Sequence, residues 1–362
     1  MKLFYDHQIF TNQRFGGISR YFCELFRYFP AEVEVACPVL FSDNEYIRNY
    51  LSDVHSLWGN KHIKGKRLIY EYINELYDVR KIKKTEFDIF HPTYYKPYFI
   101  NSIKDKPLVV TVHDMIHELY PDLFSRRDIS SLWKKKCVVR ADKIIAISEQ
   151  TKHDLLSFWD VDEQKIEVIH HGISSIVDFE VPSGRICESP YILYLGERSG
   201  YKNWERLLQS FMIIKDVYPD LKMLCTGRSF TQEEIRNIRD KELQNRILHC
   251  RASDVQLAQL LRDAELFVYP SYSEGFGMPI LEAYKFNCPA VISDIPCFRE
   301  VADDAAVYFD PFDTESIANS LERVLLDNEL KAGLREKGKM RMHLFPWKNT
   351  AQKTFEVYKT LL

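Results

Sequence analysis

The chain has 362 residues, 46% of them hydrophobic and 28% charged, which is more than one core usually holds and points to two domains. A net charge of −3 gives no general attraction for nucleic acid, and eight cysteines without paired CxxC spacing argue against a zinc site or disulfide frame and read as reduced thiols of a cytosolic protein. No apolar run reaches the roughly 20 residues that cross a bilayer, and an N-terminal strand followed by polar residues is not a signal peptide.

In chain order, Lys2-Leu-Phe-Tyr5 reads as a strand, Asp6 to Gly17 as a polar loop ending in Gly16-Gly17, and Ile18 onward as a helix to about Phe29. A strand, a glycine turn and a helix start form a possible phosphate cradle, though such a turn is often structural only. Strands are predicted at 33–40, 87–91, 108–112 and 143–147, with helices between, which argues a parallel doubly wound sheet. Ligands of such sheets sit beyond the strands' carboxyl ends. Phe90-His91-Pro92-Thr93 and Thr111-Val112-His113-Asp114 both leave strands there. His113 follows its apolar run directly and is the better candidate for chemistry, with Asp114 orienting its ring; the alternative is a histidine satisfied by nearby backbone. Between them, residues 58–84 carry Lys61, Lys64, Lys66, Arg67, Arg80, Lys81, Lys83 and Lys84 against Glu71, Glu75 and Asp78, eight basic to three acidic side chains and a net +5. Leu68, Ile69, Tyr72, Ile73, Leu76 and Tyr77 recur at helical spacing. This is either a helix lying on an anionic membrane surface or a core-packed helix with solvated basic flanks. Asp160-Val-Asp162 resembles a metal-binding Asp-x-Asp but falls between a helix and a strand, and reads as a surface turn.

Residues 173–189, poor in periodicity and bearing Pro182 and Gly184, read as a linker. A second set of strands follows at 191–196, 222–227, 246–250, 266–271, 289–293 and 305–309, with helices near 204–217, 314–327 and 329–342 and a last helix to Leu362. After the first of these strands, Arg198 and Lys202 stand where fixed cations would meet a diphosphate. After Leu266-Phe-Val-Tyr269 comes Pro270-Ser-Tyr-Ser-Glu274-Gly-Phe-Gly277-Met-Pro-Ile-Leu-Glu282. The two glycines allow a tight turn and close ligand approach, and Pro279 marks a helix start. Open amides at that start, Gly275, Phe276, Gly277 and Met278, suit a phosphate. Glu274 in the loop and Glu282, placed in the first helical turn, each suit a pair of sugar hydroxyls. Phosphate-binding amides between two hydroxyl-binding acids describe a sugar-nucleotide site. Gly227 and Arg228 after one strand, and the loop to Asp254 after another, are placed to bracket the nucleobase.

The run Ser-x-x-Glu-Gly-Phe-Gly-x-Pro-x-x-Glu-Ala resembles the signature of the family 4 retaining glycosyltransferases of GT-B fold, and the resemblance extends over nearly the whole chain. It implies an α/β architecture of two Rossmann-like domains facing each other across a cleft. The first would span 1–175, with helix 346–362 packing back on it, and the second 190–345. By the same resemblance, Gly17 faces the donor diphosphate, His113 touches the transferred sugar, Arg198 and Lys202 neutralise the leaving diphosphate, and Glu282 holds the ribose. Asn287 stands where the family usually has Gly, and as the next-best left-handed residue it should give the same helix cap. The implied reaction is metal-independent and needs no cofactor beyond a nucleotide-diphosphate sugar. Gly-Ile-Ser-Arg-Tyr, His-Asp and Tyr-Lys-Asn together resemble bacterial transferases building O-antigen or capsule, often mannosyltransferases. GDP-mannose therefore leads as donor, with UDP-sugars next and a non-catalytic sugar-nucleotide-binding partner as the other class. The acceptor would be a glycan or lipid-linked oligosaccharide, and the protein cytoplasmic or peripheral at the inner face of the membrane.

Overall fold

The structure, a computed structural model, describes residues 1–57, 63–173, 180–198 and 200–362. It divides into two units, Met1–Gly172 with Trp347–Leu362, and Ile173–Pro346.

In the first unit, parallel strands β1 (Lys2–Tyr5), β2 (Glu34–Ala36) and β3 (Ile89–His91) pair in the order β2-β1-β3. Strands β4 (Val109–Val112), β5 (Lys143–Ala146) and β6 (Ile166–Val168) pair in the order β4-β5-β6. A parallel bridge between Phe90 and Leu108 joins the two sets. Helix Trp347–Lys359 packs on helix Gly17–Tyr28 in this unit. Its Tyr358 hydroxyl bonds Tyr5 at 2.5 Å and the His91 ring at 2.6 Å.

The segment expected to be a polar loop contains a helix, Gln8–Asn12, with Gln8, Ile9 and Phe10 buried. Its polar lead-in is buried among hydrogen-bond partners. Asp6 accepts from the Thr93 amide at 2.8 Å, the Thr93 hydroxyl at 2.7 Å and the Gln8 side chain at 2.6 Å. His7 Nδ1 lies 2.5 Å from Asp78 Oδ2, which also accepts from the Tyr98 hydroxyl at 2.6 Å.

Asp78 belongs to helix Lys66–Lys84, and here the packing departs from the expectation of a helix that buries its apolar face in the core. Residues 58–62, which hold Trp58 and Lys61, lie outside the described residues. The helix turns a polar row inward: Lys66, Tyr70, Asn74 and Asp78, closed by Ile82. Lys66 pairs with Asp43 at 2.7 Å, and the Tyr70 hydroxyl accepts from the Leu57 amide at 2.8 Å. Asn74 accepts from the Leu40 and Phe41 amides and donates to Phe41 O at 2.7 Å. The apolar row Leu68, Tyr72 and Leu76, with Ile69, faces solvent, Tyr72 at 67% exposure. Thus the apolar positions do share one face, but hydrogen-bonding partners on the body select the opposite face for burial.

The second unit holds one six-stranded parallel sheet: β7 (Tyr191–Tyr194), β8 (Lys222–Cys225), β9 (Ile247–His249), β10 (Leu266–Tyr269), β11 (Ala290–Ser293) and β12 (Ala306–Phe309). All four residues of β7, β10 and β11 are buried, as expected for apolar strands covered on both faces. The order is β12-β11-β10-β7-β8-β9. The chain runs outward from β7 to one edge, then returns to β10 on the other side of β7. That reversal opens a crevice beyond the carboxyl ends of β7 and β10, where doubly wound sheets bind ligands. Among the described residues no helix is long and apolar enough to cross a membrane.

Candidate active site

The segments after β7 and β10 are tied to each other. The Tyr272 amide donates to Tyr201 O at 2.8 Å. Asn203, left-handed at φ 57°, donates from its side chain to Pro270 O at 3.0 Å and Pro311 O at 2.7 Å. This stitching sets Lys202 against Glu274 at 2.5 Å, with side chains only 15% and 11% exposed. The Ser271 hydroxyl donates to the same Glu274 oxygen at 2.6 Å. Burial pulls the Lys202 pKa down, but the Glu274 carboxylate beside it, with Tyr201, outweighs burial and holds it above the ordinary lysine value. The two residues therefore form a partly buried ion pair at the mouth of the crevice.

Gly277 follows at φ 110°, a left-handed angle, and caps helix Met278–Lys285. A Cβ there would meet Ile280 at 3.0 Å and Phe298 at 3.1 Å. Gly275 and Phe276 lead into it, with Phe276 buried edge-on to Phe345. The helix start thus carries the dipole and amide geometry that anions favour. Glu282 is the fifth residue of this helix, so it stands in the second turn and not the first. The macrodipole alone does not account for an acid at that position, which is also buried. Asn287 takes φ 56° and closes the helix, its amide donating to Tyr284 O at 3.0 Å.

Arg198 follows β7 as expected, with its side chain turned inward. Its side chain is fully buried, with Nε 3.2 Å from Glu234 Oε1 and Nη1 3.4 Å from Thr226 O, while Nη2 donates to Arg228 O. Its guanidinium stands 4.7 Å from the Phe230 ring. Arg228 grips the same Glu234 through both oxygens, at 3.0 and 2.9 Å, and Glu197 at 2.7 Å. Burial alone would raise the Glu234 pKa, but the Thr231 amide and both arginines draw it below the ordinary carboxylate range. The sequence reading did not single out Glu234, although Thr231-Gln-Glu-Glu234 spells the capping box that holds it. Gly227, φ 101°, sits where a Cβ would come within 2.8 Å of Gly196 O. Asp254 opens the helix Asp254–Asp263 after β9. The turn holding Gly227 and Arg228 and the loop to Asp254 follow the paired strands β8 and β9.

In the first unit, Gly17 is the first residue of its helix, behind Gly16. His113 is 6% exposed, and neither ring nitrogen has a hydrogen-bond partner among the described residues. Burial, with His91 and Lys134, pushes its pKa down to about 3, so the ring is neutral. It packs edge-on to Tyr21 at 5.3 Å and His171 at 5.8 Å. Asp114 does not orient it. Asp114 caps the Ile116 amide at 3.1 Å and faces Lys134, while the His113 amide donates to the Tyr95 hydroxyl at 3.0 Å. His91, the other strand-end histidine, bonds Tyr358 and Thr111 through its two nitrogens. Asp160 and Asp162 lie on an exposed turn where Asp162 caps Gln164, and no group of three metal-ligating side chains occurs among the described residues.

The sequence matches glycosyltransferase family 4 over residues 15–175 and glycosyl transferases group 1 over residues 179–341. It is 30% identical over 217 residues to the O-antigen chain mannosyltransferase RfbU of Salmonella typhimurium, a match covering 59% of this chain and 60% of the relative. It is 24% identical over 291 residues to O-antigen chain mannosyltransferase B of Escherichia coli, covering 75% and 74%. Among solved structures it is similar to Anabaena Alr3699/HepE in complex with UDP and glucose, with a TM-score of 0.77 at 16% identity, covering 99% of this chain and all of that one.

Proposed function

The chain belongs to the family 4 glycosyltransferases of GT-B fold, and from that premise we propose that it moves a sugar, mannose first, from a nucleotide-diphosphate donor to a growing cell-surface glycan or lipid-linked acceptor. The observation that carries the reading is the Lys202–Glu274 pair beside a left-handed glycine and a helix start, at the strand-order reversal of the second unit.

In this reading the donor diphosphate takes Lys202 from Glu274, and the released carboxylate accepts from the sugar hydroxyls. Amides of Gly275 to Met278 hold sugar and phosphate, and Glu282 holds the ribose. Arg198, braced by Glu234, adds fixed positive charge, and Gly227, Arg228 and Asp254 lie at the base. His113 and Gly17 keep the roles that the resemblance implies. The bond between the anomeric carbon and the phosphate oxygen breaks, and the acceptor oxygen bonds the same face of that carbon. The acceptor proton passes to the leaving diphosphate, so the protein supplies positioning and charge, without a metal. A UDP-sugar donor is the second reading, favoured by the UDP and glucose held by the Anabaena protein.

Nucleotide release from a panel of GDP- and UDP-sugars, with and without chelator, tests the reading. The expected result is release from GDP-mannose that survives excess chelator. Release from no sugar nucleotide overturns the transferase, and loss with chelator restored by magnesium overturns metal independence.

The exposed row Leu68, Ile69, Tyr72 and Leu76, flanked by Lys64, Arg67, Arg80, Lys83 and Lys84, supports a peripheral seat on an anionic membrane face. Each basic side chain near such a surface contributes about 1 kcal/mol. The protein should bind anionic vesicles and leave them at high salt. A Lys64→Glu/Arg67→Glu variant should bind at least about tenfold more weakly. Equal partitioning of the two proteins in a sedimentation assay ends this part of the proposal.

A further inference from the structure

The glycine turn before helix Gly17–Tyr28 holds an aromatic side chain that the mechanism above does not use. Phe15 is 55% exposed, yet its backbone neighbours are fixed on both sides. Gln13 O accepts from the Asn44 side chain at 2.8 Å, and Arg14 O accepts from the Glu45 amide at 3.1 Å. The Gln13 side chain folds into the space a Cβ of Gly16 would need, its Oε1 only 2.1 Å from that position, and accepts from the Ser19 amide. The turn therefore has one shape, and it presents Phe15 outward.

The ring is not alone. Tyr46 meets it edge to face, with centroids 6.3 Å apart and planes at 83°. The Arg14 guanidinium lies 5.3 Å from the Phe15 ring and pairs with Glu45 at 3.1 Å. Arg20 lies 5.0 Å from the Tyr46 ring and donates to its hydroxyl at 2.6 Å. This is a rigid, half-exposed aromatic pair set among two guanidinium groups and a carboxylate. Arg14, Phe15 and Arg20 stand in the segment that follows β1, the strand from which the order of the first unit's sheet reverses, and Glu45 and Tyr46 come from helix Glu45–Tyr50 after β2.

A pyranose matches that surface. One face of the sugar ring is a flat patch of C–H groups that packs on an aromatic face, and its rim of hydroxyls accepts hydrogen bonds from guanidinium groups and donates them to carboxylates. A rigid ring loses little conformational entropy on binding. We propose that Phe15 and Tyr46, with Arg14, Arg20 and Glu45 at their edge, form a saccharide subsite for the acceptor glycan. The proposal rests on the transferase reading for its role as an acceptor subsite, but binding can be read without turnover.

The test uses the full chain and saturation-transfer NMR with methyl α-glycosides of mannose, glucose, galactose and N-acetylglucosamine, on the native protein, Phe15→Leu and Phe15→Trp. Leucine keeps an exposed apolar side chain and removes the ring face; tryptophan keeps the face. Saturation of glycoside ring protons is expected with the native protein and Phe15→Trp, and binding roughly 3- to 10-fold weaker with Phe15→Leu. No saturation of any glycoside by the native protein, or equal binding by Phe15→Leu, overturns the subsite. So does a Phe15→Leu loss confined to the base protons of added GDP or UDP, or to binding of anionic vesicles, which assigns the ring to a nucleotide or a membrane. Failure of the transferase reading shows separately, as no nucleotide release from any sugar nucleotide.

Discussion

Lys202→Ala is expected to lower turnover roughly 100- to 1000-fold, the usual cost of removing one fixed electrostatic donor from a transition state, while weakening donor binding much less. The asymmetry follows from the resting pair. In the free protein the Lys202 charge is spent on Glu274 at 2.5 Å, so exchanging that carboxylate for a donor phosphate gains little in the ground state. As the diphosphate departs its negative charge grows, and the ammonium then stabilises it more than it stabilised Glu274. Arg198→Ala should act in the same direction, with a loss of stability added, because it empties one side of the Glu234 brace. The double variant should be less than additive, since both cations serve one diphosphate. Steady-state kinetics with the donor found in the panel, together with calorimetry of nucleoside-diphosphate binding, separates the terms. Folded Lys202→Ala protein with near-native turnover would place the donor elsewhere and remove the basis of the functional reading.

Asp78→Ala should cost about 3–5 kcal/mol of stability, the range for removing one partner of a buried ion pair. It strips His7 of a partner at 2.5 Å and Tyr98 of an acceptor at 2.6 Å, both inside the protein. The loss should depend on pH. Burial lowers the His7 pKa, but the Asp78 charge and hydrogen bond outweigh it, so the folded value stands above the ordinary histidine value. A raised folded pKa means that the protonated ring's contribution is fully present below about pH 6.5 and fades as pH rises through the folded value. Thermal unfolding of native and variant protein at a series of pH values should show their gap widest on the acid side and narrowing as pH climbs above 6.5. A gap that is constant, or that grows with pH, would mean that the pair is not charged in the folded state.

What the sequence made readable was local. Leu266-Phe-Val-Tyr269, two glycines and Pro279 predicted a strand, a turn and a helix start, and each is there, because each depends on residues within one turn of itself. Asn287 in the left-handed region was readable for the same reason. Side-chain direction was not. Lys202 and Glu274 are 72 positions apart, and their pairing depends on the return of β10 to the side of β7. Arg198 was placed at the right strand end, but its turn toward Glu234 depends on the helix after β8. Pro279 marks the helix start only to within a residue: the helix begins at Met278, which moves Glu282 from the first turn to the second. In helix Lys66–Lys84, periodicity showed which residues share a face. It did not show that Asp43, Leu40, Phe41, His7 and Tyr98 would offer hydrogen bonds to the polar one.

That last arrangement has a geometric consequence. Oil-like packing lets a cylinder roll or slide by a fraction of a residue at small cost. A row of directional bonds spaced one turn apart, from Lys66 through Tyr70 and Asn74 to Asp78, admits a single azimuth and a single axial position, because a roll breaks all of them together. The outward row of Leu68, Tyr72 and Leu76 is therefore held at one clock position relative to the strands of its own unit, and whatever seats on that row also fixes how the unit's sheet is tilted toward it.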